Sequence, residues 1–168
     1  LTPHCTLKHL EEPCLYDIEK DELYELNRDA FEFLVKCSQG QCPALKKEDE
    51  EFIQFCLSEN LITVSEVPVK RELILSPSPI PSLRYLELQM TDRCNLRCRH
   101  CYLGDGQHQD LPFEKMEQIL KEFEEIQGLR LLFSGGEPLL HPCFWEVNDI
   151  LTDFSFRSIL LSNGNLIT

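Results

Sequence analysis

The sequence predicts an α/β chain in two parts. A small winged-helix-like α+β unit comes first, and a strand–helix–strand–helix–strand unit with a parallel sheet follows. Three observations carry this. Residues 83–168 alternate short apolar runs with helix-period stripes, the pattern of right-handed β–α–β crossovers. Residues 1–70 instead place a strand hairpin before two helices. Between the two lies Ser76-Pro77-Ser78-Pro79-Ile80-Pro81, whose three prolines in six residues exclude a helix interior or a central strand. The expected boundaries are therefore 1–70, a Pro/Ser-rich linker 71–82, and 83–168.

In the first part, Leu15–Ile18 and Leu23–Leu26 read as strands around the polar turn Glu19–Glu22. Asn27 stands where a helix N-cap belongs. Ala30, Phe31, Leu34 and Val35 form the stripe of an amphipathic helix, and Gly40 marks its end. A second helix is expected over Lys47–Glu59, with Phe52, Ile53, Phe55, Cys56 and Leu57 on its apolar side. Leu61–Val64 is expected to return as a short strand.

In the second part, Arg84–Met90 alternates as a strand. Pro112 opens a helix whose Phe113, Met116, Ile119, Leu120, Phe123 and Ile126 share one face, with Gly128 as its stop. Leu129–Phe133 is a nearly continuous apolar run, as in a buried parallel strand. A helix from Pro142 to Asp153 follows, with Phe144 and Trp145 packed on the sheet and His141 at its start. Phe156–Leu161 is the third strand. Three strands do not close a barrel, so this unit reads as the first part of a larger one, cut short at Thr168.

Composition narrows the function. The 168 residues hold 29 acids and 16 bases, a net charge of -13. That balance excludes broad nucleic-acid binding and attachment to anionic membranes. No run of 18 apolar residues suggests a membrane span, and the N-terminus does not read as a secretory signal. Nine cysteines, an odd number at uneven spacing, do not make a disulfide framework; a reducing, cytoplasmic setting fits them better. Cys37 and Cys56 fall in helical apolar patterns and read as small buried hydrophobes.

The chemistry is concentrated after the first parallel strand. Cys94, Cys98 and Cys101 are spaced C-x-x-x-C-x-x-C on one loop. Three thiolates so placed can converge on a soft metal centre, an iron–sulfur cluster or zinc. With only three protein ligands a four-iron cluster keeps one iron open to a chelating substrate. Zinc would need a fourth ligand such as His100, His108 or Cys143. Arg93, Arg97 and Arg99 crowd this loop, either offsetting a negative cluster or as solvated charges. The second strand is followed by Ser134-Gly135-Gly136-Glu137-Pro138 and the third by Ser162-Asn163-Gly164. Paired glycines let a ligand approach the backbone, and Glu137 can bind an ammonium group. Each string alone is a plausible turn. All three fall at strand C-terminal ends, where ligands bind in sheets of this type.

On these motifs the C-terminal unit resembles the first half of the core of radical S-adenosylmethionine (SAM) enzymes, a partial (β/α)6 barrel. The resemblance implies a [4Fe-4S] cluster on Cys94, Cys98 and Cys101, with SAM chelating the open iron. It implies Tyr102 beside the adenine, the stretch Ser134, Gly135, Gly136 and Glu137 around the methionine amino group, and further SAM contacts from Ser162 and Asn163. It also implies reductive cleavage of SAM to a 5′-deoxyadenosyl radical, with an electron donor such as flavodoxin or ferredoxin. The N-terminal hairpin followed by Leu26-Asn27-Arg28-Asp29-Ala30 resembles the small peptide-binding domains of peptide-maturing enzymes of this kind, such as the pyrroloquinoline-quinone peptide chaperone. That resemblance implies a ribosomally made precursor peptide whose leader is bound by residues 1–70 through strand addition. Two other readings stand beside it: a radical SAM enzyme of cofactor biosynthesis or enzyme activation, and a truncated peptide-binding module without activity.

Overall fold

A computed structural model describes residues 1–41, 49–65, 67, 70–104 and 106–167. The chain divides into two compact units, Leu1–Ser82 and Leu83–Thr168.

The first unit opens with a three-stranded antiparallel sheet, ordered β1 (Cys5–His9), β2 (Pro13–Asp17) and β3 (Glu22–Glu25). Helices α1 (Arg28–Ser38) and α2 (Asp49–Ser58) follow. The expected hairpin is β2–β3. Its turn is fixed by Asp17 Oδ1, which accepts the N–H groups of Glu19 and Lys20, both at 3.0 Å. Asn27 caps α1 as its sequence position suggests, with Oδ1 accepting from Ala30 N–H at 2.9 Å. Gly40, with φ of 74°, follows the helix. The apolar centre is Cys5, Leu7, Leu15, Leu34, Cys56 and Leu61.

Three features depart from expectation. Strand β1 carries no legible alternation because Thr6 and Lys8 are as buried as Cys5 and Leu7. Leu61–Val64 is not a strand. Leu61 is an apolar plug, and its carbonyl accepts from Thr2 N–H at 3.1 Å while the N–H groups of Leu61 and Ile62 turn back to Cys56 O. The Pro-rich segment is laid along the first unit rather than hanging free. Arg71 donates to the carbonyls of Thr2, Pro3 and Cys5, Ser78 N–H reaches His9 O at 2.7 Å, and Ser82 binds Glu11. The expected helix start at Lys47, and Cys42, lie outside the described residues.

The second unit is a parallel sheet ordered β4 (Tyr85–Thr91), β5 (Arg130–Gly135), β6 (Arg157–Leu160). Helix α3 (Phe113–Glu125) makes the first crossover and α4 (Phe144–Ile150) the second. This is the α/β arrangement the sequence predicts. Leu88, Met90, Leu131 and Phe133 meet Met116, Leu120, Phe123, Phe144 and Val147 in one core. Gly128 is required where it stands: a Cβ there would lie 2.3 Å from the Phe123 ring.

The expected helix 142–153 is instead broken. A 3-10 turn (Pro138–Leu140) precedes α4, and another (Leu151–Asp153) ends it. With seven residues, α4 turns Phe144 and Val147 inward at i and i+3, so Trp145 points out at 66% exposure. Trp145 is not part of the core face. Among the described residues no helix is long and apolar enough to cross a membrane.

Candidate functional site

The C-terminal ends of β4, β5 and β6 lie side by side, and the loops leaving them are tied together. Gly136 N–H donates to Thr91 O at 2.8 Å and Glu137 N–H to Arg93 O at 2.7 Å, so the β4–β5 ladder continues beyond the strands. The close approach explains the glycine pair. A Cβ on Gly135, where φ is 127°, would stand 2.1 Å from Thr91 O, and one on Gly136 would stand 2.2 Å from Arg93 O. The pair is needed first by the neighbouring loop, whatever it offers a ligand.

From that anchored start the cysteine loop projects. Cys94, Cys98 and Cys101 are all exposed. With Asp92, Arg97, Arg99 and Gly136 they line an open cavity of about 240 Å³. The base of the loop is held by carboxylates that the sequence reading did not single out. Asp92 accepts from Gln107 N–H at 2.6 Å and Gln109 N–H at 2.7 Å. Asp110 accepts from Thr91 Oγ1 and pairs with Arg93 Nη2, each at 2.7 Å. Arg93 is therefore committed to Asp110; Arg97 and Arg99 line the cavity with the thiols.

The other expected residues divide by accessibility. Tyr102 is 72% exposed, its hydroxyl accepting from Gln89 Nε2 at 3.0 Å. Ser134 is buried and donates to Glu87 Oε1 at 2.6 Å. Glu137 is wholly buried. Its Oε1 accepts from Leu139 N–H at 3.1 Å and Ser162 Oγ at 2.9 Å, and its Oε2 from Asn163 N–H at 2.8 Å. It is a knot joining the β5 and β6 loops. Asn163 extends that knot to the cysteine loop: its side-chain amide donates to Asn95 Oδ1 at 2.8 Å and lies 3.8 Å from Cys94 Sγ. Glu87 and Gln89 had a signal that was not used, being the exposed polar positions of an alternating strand.

The donor set fits a four-iron cluster. Tetrahedral zinc gathers its sulfurs to about 3.8 Å from one another. Among the described residues, the group of three potential ligand atoms that lies within 4.8 Å is His4, Cys5 and Asp17, not these three thiols. A four-iron cluster attaches each thiolate to a different iron and so spreads them. His141 gives no fourth ligand: it is buried, Nε2–H donates to Leu111 O at 2.9 Å, and Nδ1 accepts from Cys143 N–H at 3.1 Å.

Residues 88–168 match the family model of the radical SAM superfamily. The match covers just under half of the chain. The chain is 31% identical over 90 residues to the tungsten-containing aldehyde ferredoxin oxidoreductase cofactor-modifying protein of Pyrococcus furiosus, spanning 51% of this chain and 25% of that one. It is 33% identical over 85 residues to mycofactocin maturase MftC of Mycobacterium tuberculosis, spanning 49% of this chain and 22% of that one. Among solved structures, Streptococcus suis SuiB bound to its precursor peptide SuiA matches 100% of this chain and 43% of that one, with a TM-score of 0.65 at 17% identity. SuiB bound to SAM matches with a TM-score of 0.62 at 15% identity. At such identity the likeness to SuiB is one of fold. The matches span about a quarter of the curated relatives and less than half of SuiB.

Proposed function

We propose that this chain carries the cluster-holding and SAM-holding part of an enzyme that modifies a ribosomally made peptide in a reducing cytoplasm. The observation that carries the reading is the exposed Cys94, Cys98 and Cys101 trio in one cavity with Gly136, at the C-terminal edge of a parallel sheet. When bound, a reduced [4Fe-4S] cluster would supply the single electron that reductive cleavage of SAM requires.

The chain's own residues act around that chemistry. The three thiolates of Cys94, Cys98 and Cys101 would hold the cluster beside SAM. Tyr102, exposed beside the cavity, offers a ring to the adenine. In the Gly-Gly stretch the half-buried backbone of Gly135 and Gly136 is what faces a ligand, because the side chains of Ser134 and Glu137 are spent on Glu87 and the β6 loop. Glu137 positions Ser162 and Asn163, and Asn163 positions Asn95 and Cys94. Arg97 and Arg99 place positive charge against an anionic cluster and assist docking of an acidic donor such as flavodoxin or ferredoxin.

The peptide side of the proposal rests on the first unit. Among the described residues β3 pairs with β2 on one side only, so its other edge is open to an added strand. The curated relative named a maturase and the fold of a peptide-bound SuiB support a leader peptide at residues 1–70. A second reading has its own support: the Pyrococcus relative modifies a cofactor and is as similar as the maturase.

The test is anaerobic reconstitution with iron and sulfide, then electron paramagnetic resonance of the reduced protein with and without SAM. A four-iron signal that shifts on adding SAM, and is absent from Cys98→Ala, supports the open-iron site. A folded protein that takes up zinc without sulfide overturns it. Leader-peptide titration with hydrogen exchange then decides the substrate class. Protection along Glu22–Glu25 supports a peptide, and its absence moves the assignment to cofactor modification.

A further inference from the structure

We propose that His4, Cys5 and Asp17 form a second metal site, for a borderline-soft divalent cation of the zinc class, in the N-terminal unit. It is independent of the cluster site and of the peptide reading.

One ligand atom from each residue, an imidazole nitrogen, a thiol sulfur and a carboxylate oxygen, lies within 4.8 Å of the other two. Two of the three are placed by the sheet. Cys5 opens β1 and Asp17 closes β2, and they are direct partners in the antiparallel register. Cross-strand partners share a face, so the thiol and the carboxylate point the same way. His4 is brought to them by the turn before β1, where Cys5 N–H donates to Thr2 O at 3.1 Å and His4 O accepts from Ile18 N–H at 2.9 Å.

The carboxylate shows what is wanted there. Asp17 is 0% exposed. Its Oδ1 is satisfied by two backbone N–H groups of the β2–β3 turn. Its Oδ2 is buried with no hydrogen-bond partner. A buried carboxylate oxygen left unpaired is costly, and it commonly marks an ion or water. The nearest cationic candidate is His4 Nε2 at 3.9 Å, beyond hydrogen-bond length. Two ligands of one tetrahedral zinc stand about 3.4 Å apart, so small side-chain rotations close this trio around an ion. One thiolate, one carboxylate and a neutral imidazole balance a double positive charge.

The remaining surroundings fit. The His4 side chain is 14% exposed and is the way in for an ion. Its other nitrogen, Nδ1, faces Glu19 Oε2 at 3.9 Å, the outer carboxylate that metal-bound imidazoles favour. Arg71 is turned to the carbonyls of Thr2, Pro3 and Cys5. The competing partner of His4 is Thr2: Nε2 is set 3.3 Å from Thr2 Oγ1, a hydroxyl that donates to the carbonyls of Asn60 and Leu61. A bound ion would staple the β1–β2 pair to the turn that carries Thr2, and through Thr2 to the chain after α2.

The test is zinc content after dialysis against micromolar zinc, in the full chain with Cys94, Cys98 and Cys101 replaced by serine. One equivalent is expected, lost in Cys5→Ser and in Asp17→Asn, and bound roughly tenfold or more weakly in His4→Gln, whose site lies at the rim and spares the core. Cobalt substituted for zinc is expected to show a thiolate-to-metal absorption band that disappears in Cys5→Ser. If either buried variant fails to fold by circular dichroism, the His4→Gln affinity decides alone. A folded parent that holds no zinc overturns the proposal. Zinc retained undiminished in His4→Gln overturns it equally.

Discussion

The chain uses cysteine in two opposite ways. Cys14 and Cys56 of the first unit are at most 2% exposed, whereas Cys94, Cys98 and Cys101 of the second are all exposed. Burial, together with the nearby Cys5 and Cys37 thiols, pushes the Cys56 thiol up to about 11. A thiol in that setting stays protonated and packs as a small hydrophobe. The loop thiols lie outside both apolar cores. Spacing in sequence does not separate the two groups; what separates them is whether a core closes over the sulfur.

The largest effect should therefore fall on the exposed set. Cys98→Ser is expected to abolish four-iron cluster binding and SAM cleavage, with the melting temperature of the metal-free chain unchanged. Cys14→Ser, whose thiol donates to Glu12 O at 3.2 Å, is expected to keep full cluster content. Iron and sulfide analysis with a 5′-deoxyadenosine assay reads both. A buried-cysteine variant that lost the cluster with its fold intact would erase the distinction.

Next in size is Glu137, where fold and site meet. Glu137→Ala leaves the donors of Leu139, Ser162 and Asn163 without their acceptor inside the protein. The expected loss is about 3 kcal/mol in urea unfolding. Glu137→Gln keeps one acceptor oxygen and should lose about 1 kcal/mol. Were the carboxylate instead the partner of an ammonium group, Glu137→Gln would weaken SAM binding and leave stability untouched.

That contrast shows what the sequence could carry. The βαβαβ order was legible because each element's period was clean, from the alternating Arg84–Met90 to the Phe113–Ile126 stripe. So was the cysteine trio, because three thiols at one strand end are few in number and specific in chemistry. Strand β1 was not legible, since a run buried on both faces, with Thr6 and Lys8 inside, loses its alternation. The role of Glu137 was not legible either. Pattern showed a carboxylate at a strand end, but its direction is set by Ser162 and Asn163, 25 and 26 residues away in the chain. Trp145 failed for a simpler reason: the helix is too short to bury a third of its turn.

A milder test addresses the buried thiols. The folded pKa of Cys56 is raised above the ordinary thiol value, so the folded state holds its proton more tightly than the unfolded one. Stability from this group is fully present below the ordinary thiol pKa near 9 and falls as pH rises from there to about 11. The loss should be on the order of 2 kcal/mol across that window and should vanish in Cys56→Ala, measured against that variant's own lower baseline. Denaturant melts at stepped alkaline pH would show it. Equal slopes in the two proteins would mean that the Cys56 thiol is no more protected than those of the loop.

The smallest effect is expected at Asn163, which belongs to neither set and touches one of them. Its amide holds Asn95 at 2.8 Å and approaches Cys94 Sγ at 3.8 Å. The residue is exposed, so Asn163→Ala should change stability by less than about 1 kcal/mol. Its consequence should be electrostatic. A donor directed at a cluster sulfur favours the more negative, reduced state, so removing it should move the midpoint potential downward while cluster content stays full. A potentiometric titration followed by electron paramagnetic resonance measures this directly. If the potential stays fixed while the KM for SAM rises, Asn163 acts on SAM rather than on Cys94. The β6 loop would then be part of the binding surface and not only a brace for the cysteine loop.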